Sequence, residues 1–421
     1  MNHSENVDHD AVLQARTMLL GSDRPSLSQQ VQAYRVLARV SPAAYLPKLA
    51  AALTSYGYDV ARKGGPDLRL ALHTEAAEAA RRVDPEQPNR IETLLRALDS
   101  YQRTLLVVGR RAEAFAVCEE MAEAGRLDYE PGHVSCPTQG QDRLADMLTE
   151  EGRHGEAAGL RERGARPSRQ RVWFGTTVAW TADLGAAGRH EEALTVFTAL
   201  VDQTRSEAEA EAASLAELVW QLAYRSQLFE AAGDRGGAGT DRQEALRLLA
   251  RLAEGGEPTN RYFGSLASWT ALFALSGRAD EPAASRQAPA PPFGIDSHHW
   301  SPDSKEAYLA EIPVLAEEVT ELTDSGRLFE AVAAHHRLIR RSTVAREGHH
   351  YQFEERLRPL FDEGVALARR LPGAREAVAR ALTDRSLFLV AAHSYGEAHA
   401  DFAEAVALLE GTTTPSIVTR T

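Results

Sequence analysis

The chain repeats one pattern of polar and apolar positions, seen most clearly in GRHEEALTVFTALV from Gly188. Glycine and arginine are followed by two acids and then by the apolar positions Ala193, Phe197, Leu200 and Val201. This spacing places the apolar side chains on one stripe of an α-helix. The acids fall in the first helical turn, where the helix dipole favours negative charge, and Gly188 suits the left-handed end of a preceding helix. The pattern therefore predicts the end of one helix, a tight turn and the start of the next.

The same pattern occurs several times along the chain. Clear copies begin at Gly109 (GRRAEAFAVCEEMA) and Gly326 (GRLFEAVAAHHRLI). Weaker copies begin at Gly152, Gly233, Gly277 and Ser394. From Gly109 to Gly326 the successive turn glycines lie 36 to 49 residues apart. Repeats of this length, each consisting of a helix pair, predict an all-α fold, an α-solenoid of stacked antiparallel helix pairs.

The repeated residues resemble those of the tetratricopeptide repeat (TPR) family. The similarity lies in the turn glycine, an alanine five residues later and a bulky residue four further on, and Gly188, Ala193 and Phe197 fit best. It extends over roughly residues 27 to 275 and 303 to 410, and the stretch from Ala33 to Gly64 is similar to the longer-period variant common in actinobacterial proteins. The resemblance implies a TPR-like superhelix, although the long steps favour longer helices than the family usually has. It also implies a concave face that binds extended or helical peptides.

The sequence divides into five predicted regions. Residues 1–26 form a tail and a short helix, and residues 27–278 form the first helical repeat array. Residues 279–302 are rich in proline and alanine and predict either an extended linker or a large ordered loop. A second helical block covers residues 303–410, and residues 411–421 form a flexible tail.

Composition and charge exclude several classes of protein. The 421 residues are 43% hydrophobic, which suffices for a core, and the formal net charge of −13 makes nucleic acid a poor partner. Two cysteines, Cys118 and Cys136, argue against a disulfide scaffold, and Cys118 occupies a position where the repeat places a buried residue. No secretory signal and no apolar stretch of about twenty residues is found, so we expect a cytoplasmic protein without membrane spans.

Candidate chemistry is sparse. Phosphate-binding loops, Cys-x-x-Cys, His-Glu-x-x-His and Gly-x-Ser-x-Gly motifs are all missing from the sequence, so no catalytic residue, metal site or cofactor is predicted. The histidine doublets are His298-His299, His335-His336 and His349-His350. Adjacent helical side chains diverge by about 100°, so a doublet does not chelate one ion from one helix face. His350 and Glu354, four apart, form a weak metal pair at best, and the pairs Arg340-Arg341 and Arg369-Arg370 are interpreted as solvated helix faces.

The candidate binding surface follows from the repeat register. In the TPR family the first helix of each pair faces the concave side, which here predicts a peptide-binding or protein-binding surface. Its predicted residues are Arg96, Asp99, Arg103, Gln139, Asp142, Arg143, Asp146, Trp220, Tyr224 and Gln227. Trp220 and Tyr224, at i and i+4, have a spacing that is more often typical of a core than of a contact surface.

Three functions remain open. The leading hypothesis is a non-enzymatic TPR-like scaffold or adaptor that binds a protein or peptide of unknown identity. The alternative is a regulatory sensor whose solenoid encloses a small molecule or signalling peptide. It rests on an apolar stretch around Val178 near Trp173 and Trp180, which equally suits burial of the chain's own linker. A metal-dependent enzyme is the third hypothesis. Pathway and oligomeric state do not follow from the sequence.

Overall fold

The computed structural model describes residues 9–21, 25–62, 65–129, 140–165, 173–258, 265–347 and 353–411. Within these ranges the regular elements are eighteen α-helices and two 3-10 turns, with no strand. Helices adjacent in the chain pack against each other, as in a helical solenoid. The predicted all-α fold class is confirmed.

Two compact units make up the chain. The first comprises Met1–Leu148, Gly159–Pro167 and Ser301–Asp303, and the second comprises Thr149–Ala158, Ser168–Trp300 and Ser304–Thr421. The first eight helices are α1 (His9–Leu20), α2 (Leu27–Val40), α3 (Pro42–Ala61), α4 (Pro66–Arg81), α5 (Arg90–Val107), α6 (Arg111–Tyr129), α7 (Asp142–Glu150) and α8 (His154–Ala165). The helices that follow are α9 (Phe174–Ala186), α10 (His190–Glu209), α11 (Leu215–Ala231), α12 (Arg235–Gly255), α13 (Ser265–Ser276), α14 (Pro302–Asp324), α15 (Leu328–Arg346), α16 (Phe353–Arg369), α17 (Arg375–Ala391) and α18 (Tyr395–Glu410).

The turn glycines have the conformation that the repeat pattern predicts. Gly109, Gly152, Gly188, Gly233 and Gly326 all have φ between 74° and 81°. A side chain at such an angle is strained, which explains why glycine marks the turns. The copy at Gly277 differs, since its φ is −100° and a 3-10 turn follows instead of a helix. There the glycine serves close packing, because a Cβ would lie 2.1 Å from the Nε atom of Arg340.

In the first unit, α3 and α4 pack closely around a buried histidine. A Cβ at Gly57 would lie 2.2 Å from His73 Nε2, so the imidazole fills the space that the missing side chain leaves. His73 Nδ1 lies 2.7 Å from Thr104 Oγ1, and Nε2 lies 3.3 Å from the carbonyl oxygen of Thr54. Burial lowers the pKa of His73, although the hydrogen bond to the Thr54 backbone partly offsets this.

In the second unit the C-terminal hairpin returns to an earlier one. Helix α18 packs along α12, and α17 contacts α11. Trp220 Nε1 donates to the carbonyl oxygen of Leu387 at 3.1 Å, and Gln243 Nε2 donates to Glu410 at 3.0 Å. The helices before and after the Pro/Ala-rich segment share one aromatic core, in which Trp269 of α13 packs against Phe353, Phe361 and Phe388. The compact units therefore do not divide at residues 279–302.

The two facing hairpins are alike in sequence. Residues 225–249 and 385–409 align without a gap, with Arg-Ser at the start, an alanine thirteen residues after the arginine and an aspartate three residues later. Arg225 makes a bidentate ion pair with Asp241 at 2.6–2.7 Å, and Arg385 makes the equivalent pair with Asp401 at 2.7–2.8 Å. Each pair holds the two helices of its own hairpin together.

The Pro/Ala-rich segment is ordered and packs into the second unit. Phe293, Trp300 and Tyr308 form a cluster with ring centroids 5.5–5.8 Å apart. Ala290 N donates to the carbonyl oxygen of Glu150 at 3.0 Å. The segment therefore packs against helices of the second unit.

Removing one partner of the Arg225–Asp241 pair should destabilise the protein strongly. Asp241 is 2% exposed, and Asp241→Ala leaves the buried guanidinium of Arg225 with Asp202, 3.8 Å away, as its remaining ion-pair partner. We therefore expect the free energy of unfolding to fall by about 3 kcal/mol. Asp401→Ala is the matched control. Arg385 is more exposed than Arg225 and keeps Asp362 as a partner at 2.9 Å. Asp401→Ala should therefore lower the free energy of unfolding by only about 1–2 kcal/mol. Urea denaturation measures both variants, and equal losses would contradict the difference in burial.

The buried His73 predicts a pH dependence of stability. Because its pKa is lowered in the folded state, the unfolded chain binds the proton more tightly. The stability that neutral His73 contributes should be fully present above the ordinary histidine pKa of about 6.5, and it should be lost as pH falls from there through the folded-state pKa. Between pH 8 and pH 5, the unfolding temperature should decrease less in His73→Gln than in wild type. The same decrease in both proteins would refute the assignment.

Candidate functional site

The predicted residues of the first unit form an ion-pair network between helices. Asp99 of α5 accepts from Arg103 Nε at 3.0 Å and from Arg143 Nε of α7 at 2.9 Å. Asp146 of α7 accepts from Arg161 Nη2 of α8 at 2.8 Å, and Arg143 lies 3.7 Å from the same carboxylate. Arg161 is 6% exposed. The charges therefore satisfy one another and link α5, α7 and α8.

The other predicted residues of this surface lie apart from the network. Arg96 is exposed and pairs with Glu92 in its own helix at 2.5 Å. Asp142 is exposed at the start of α7. Gln139 lies outside the described residues, as do Cys136 and the doublet His349-His350. Cys118 is buried as the repeat predicts, with its Sγ atom 3.5 Å from Met147 Sδ.

The structure corrects the placement of Trp220 and Tyr224 on an open face. Trp220 is 2% and Tyr224 9% exposed, because α17 lies over α11 at this point. Tyr224 packs edge-on against Phe197 with ring centroids 5.0 Å apart. The cavity beside both residues measures about 10 Å³, which is room for one water. Both side chains belong to the core, and burial raises the pKa of Tyr224.

The apolar stretch of α9 is covered by the chain itself. A Cβ at Gly294 would lie 3.2 Å from both Ala182 Cβ and the carbonyl oxygen of Val178, so the Pro/Ala-rich segment lies directly on α9. Arg278 Nη1 donates to the carbonyl oxygen of Ala182 at 2.6 Å. Of the two expectations for this stretch, the linker accounts for the burial of Val178 and Ala182.

The arginine pair of α15 is buried, which corrects its interpretation as a solvated face. Arg340 and Arg341 are 1% and 2% exposed. Arg340 donates to Asp280 at 2.9 Å, and Arg341 makes a bidentate pair with Glu281 at 2.9–3.1 Å. The carboxylates come from the Pro/Ala-rich segment sixty residues earlier, so no local pattern indicates them. Arg369 and Arg370 are exposed, as predicted.

The histidines of α15 face different neighbours, as adjacent helical positions must. His335 is buried with Nε2 3.4 Å from Glu363 of α16, whereas His336 Nδ1 lies 3.5 Å from Asp384 of α17. Burial alone would raise the pKa of Asp384, but His336 and the charge of Arg340 outweigh it, and the pKa is lowered. Asp384 is therefore an anion at neutral pH.

A cleft of about 1190 Å³ lies between the two facing hairpins of the second unit. Helices α11 and α12 form one wall, α17 and α18 form the other, and Arg340 and Asp384 lie at the inner side. The lining contains charged residues of both signs, namely Glu230, Arg235, Arg242, Arg340, Glu376, Arg380, Asp384 and Glu410. Of the predicted residues, Gln227 alone lines this cleft. The other lining residues have no local sequence signal, because the walls come from helices about 160 residues apart.

Several cleft charges are already paired. Arg380 donates to Asp280 at 2.6 Å and Arg242 to Glu230 at 2.5 Å. Among the described residues, Arg235 of α12 and Glu376 of α17 make no ion pair or side-chain hydrogen bond. One wall therefore offers an unpaired cation and the opposite wall an unpaired anion. This arrangement can receive a ligand that carries both charges.

The comparisons with known proteins give no family. Neither the protein-family models nor the curated proteins contain a match to this chain. Among the described residues, no helix has the length and apolar character needed to cross a membrane.

The ion-pair network of the first unit predicts that losing one of its residues costs more stability than losing Arg96, which lies apart from it. Asp146 faces the buried Arg161, so Asp146→Ala should lower the free energy of unfolding by about 2–3 kcal/mol. Arg96→Ala removes only an exposed pair within one helix and should change it by about 0.5 kcal/mol or less. Urea denaturation of the two variants measures the difference. If Arg96→Ala proved as costly as Asp146→Ala, the network would not have the structural role described.

Proposed function

We propose that the chain is a TPR-like scaffold or adaptor that binds a peptide segment of a protein partner in the cleft between α11–α12 and α17–α18. Its role is binding rather than catalysis, and nucleic acid and membranes are not its partners. The cleft itself is the main support for this function, because its volume of about 1190 Å³ is larger than that of most small-molecule pockets, which measure about 300–1,000 Å³.

The cleft charges support a polypeptide of mixed charge as the ligand. Arg235 can pair with an acidic side chain and Glu376 with a basic one, since neither has a partner among the described residues. The cleft lies between helices, where repeat proteins offer extended binding surfaces. Gly236 and Gly239 of α12 line one wall of the cleft and have no side chains, so a ligand backbone can approach this wall closely.

A cytoplasmic setting is part of the proposal. The chain has two cysteines, and Cys118 is buried as a thiol in an apolar core. This cysteine usage suits a reducing compartment.

Photo-crosslinking from within the cleft tests the proposal. A benzophenone amino acid at position 227 should, on irradiation in extract of the native host, crosslink a defined polypeptide, and a synthetic peptide of the crosslinked segment should compete. Gly239→Trp should weaken binding of that peptide at least tenfold. A Cβ at Gly239 meets open space, so the indole fills the cleft without a backbone clash.

Gly396→Trp is the matched control for this experiment. Gly396 also lies in a helix of the second unit with open space at its Cβ, but it is outside the cleft. The control should bind the peptide as wild type does. Equal binding by the Gly239→Trp variant, folded as judged by circular dichroism, would refute the cleft as the site. A small molecule carried through purification and displaced by Gly239→Trp would instead support the sensor hypothesis.

A further inference from the structure

Three potential metal ligands meet where the Pro/Ala-rich segment approaches the end of α15. Asp296 and His298 lie at the 3-10 turn of that segment, and Glu347 directly follows α15. One ligand atom from each of the three side chains lies within 4.8 Å of the other two. The group lies apart from the residues that line the cleft.

Glu347 has a carboxylate oxygen without a hydrogen-bond donor. The residue is 6% exposed, and its Oε2 atom accepts from Ser297 N at 3.3 Å. Its Oε1 atom is buried and has no hydrogen-bond partner among the described residues. A buried oxygen without a hydrogen-bond partner keeps its full desolvation penalty, which is larger when the oxygen is charged. A bound cation would remove that cost.

Asp296 and His298 provide the open side of the group. Asp296 Oδ1 accepts from the backbone N of His298 at 2.8 Å and lies 2.5 Å from His298 Nδ1. The His298 side chain is 67% exposed, so an ion can enter from solvent. Lys305 Nζ donates to the Ser297 carbonyl at 3.1 Å and to Ser297 Oγ at 3.0 Å, which holds the turn in place.

We propose that Asp296, His298 and Glu347 form a binding site for a divalent transition-metal ion of the Zn²⁺ class. One imidazole nitrogen and two carboxylate oxygens suit Zn²⁺, whereas Mg²⁺ and Ca²⁺ prefer oxygen ligands alone. Two ligand atoms at about 2.0–2.2 Å from one tetrahedral Zn²⁺ lie about 3.3–3.6 Å apart. Side-chain rotations must therefore separate Asp296 Oδ1 from His298 Nδ1, now 2.5 Å apart, and bring the ligand atoms that lie up to 4.8 Å apart closer together. The ion takes the place of the proton between Asp296 and His298.

The proposed ion links the Pro/Ala-rich segment to the C-terminal end of α15, because its ligands come from both elements. The same segment is already held to this helix by the ion pairs of Arg340 and Arg341. Ligands from both elements make the site dependent on the folded chain, so metal binding should raise the unfolding temperature.

Isothermal titration of chelator-treated full-length protein with ZnCl₂ tests the site. Wild type should bind one equivalent, and Zn²⁺ should raise its unfolding temperature. Glu347→Gln and His298→Ala should each bind at least tenfold more weakly and lose the temperature shift. His298→Ala alters an exposed side chain, so it reports on the site even if Glu347→Gln fails to fold.

His299→Ala is the control, because it removes the adjacent imidazole that is not part of the three-residue group. It should bind Zn²⁺ as wild type does. Wild-type affinity in His298→Ala, or no stoichiometric binding by wild type, would overturn the proposal. Mg²⁺ binding as tight as Zn²⁺ binding would overturn the assignment of the metal class.

Discussion

The packing of the last hairpin against α11–α12 determines the structure of the second unit. Once α18 lies along α12, Trp220 is enclosed beneath α17 and donates to the backbone of Leu387. The aromatic rings of α13, α16 and α17 then form a single core. The same packing leaves a cleft with a charged lining between the hairpins. The core and the candidate site thus both depend on the packing of one hairpin against another.

Buried charge is the second constraint, and it explains why the Pro/Ala-rich segment is ordered. Arg340 and Arg341 are almost fully buried, and such groups are destabilising unless they are paired. Asp280 and Glu281 provide the partners from the start of the segment, and its apolar residues Phe293 and Trp300 pack further along. A segment of low-complexity composition is therefore fixed by a few specific contacts.

The sequence predicts local features well because their causes are local. The all-α class and the left-handed turn glycines follow from periodicity and backbone sterics within one repeat. Contacts between residues far apart in the chain leave no such local pattern in the sequence. Arg340 and Arg341 look like a surface pair until their partners sixty residues upstream are known, and Trp220 looks like a groove residue until α17 covers it. The cleft lining was missed for the same reason. The match between residues 225–249 and 385–409 was the available signal, because two like hairpins are candidates for facing each other.

The proximity of α12 and α18 in solution tests whether the C-terminal hairpin packs on α11–α12. Gln243→Cys and Glu410→Cys place thiols where the two side chains form a hydrogen bond of 3.0 Å, in a background with Cys118→Ala and Cys136→Ser. A short bis-maleimide reagent should join the two positions rapidly in the native protein and slowly in urea, with the Gln243→Cys single variant as control. Equal, slow crosslinking in native and denatured protein would contradict the packing of the C-terminal hairpin on α11–α12 and, with it, the cleft.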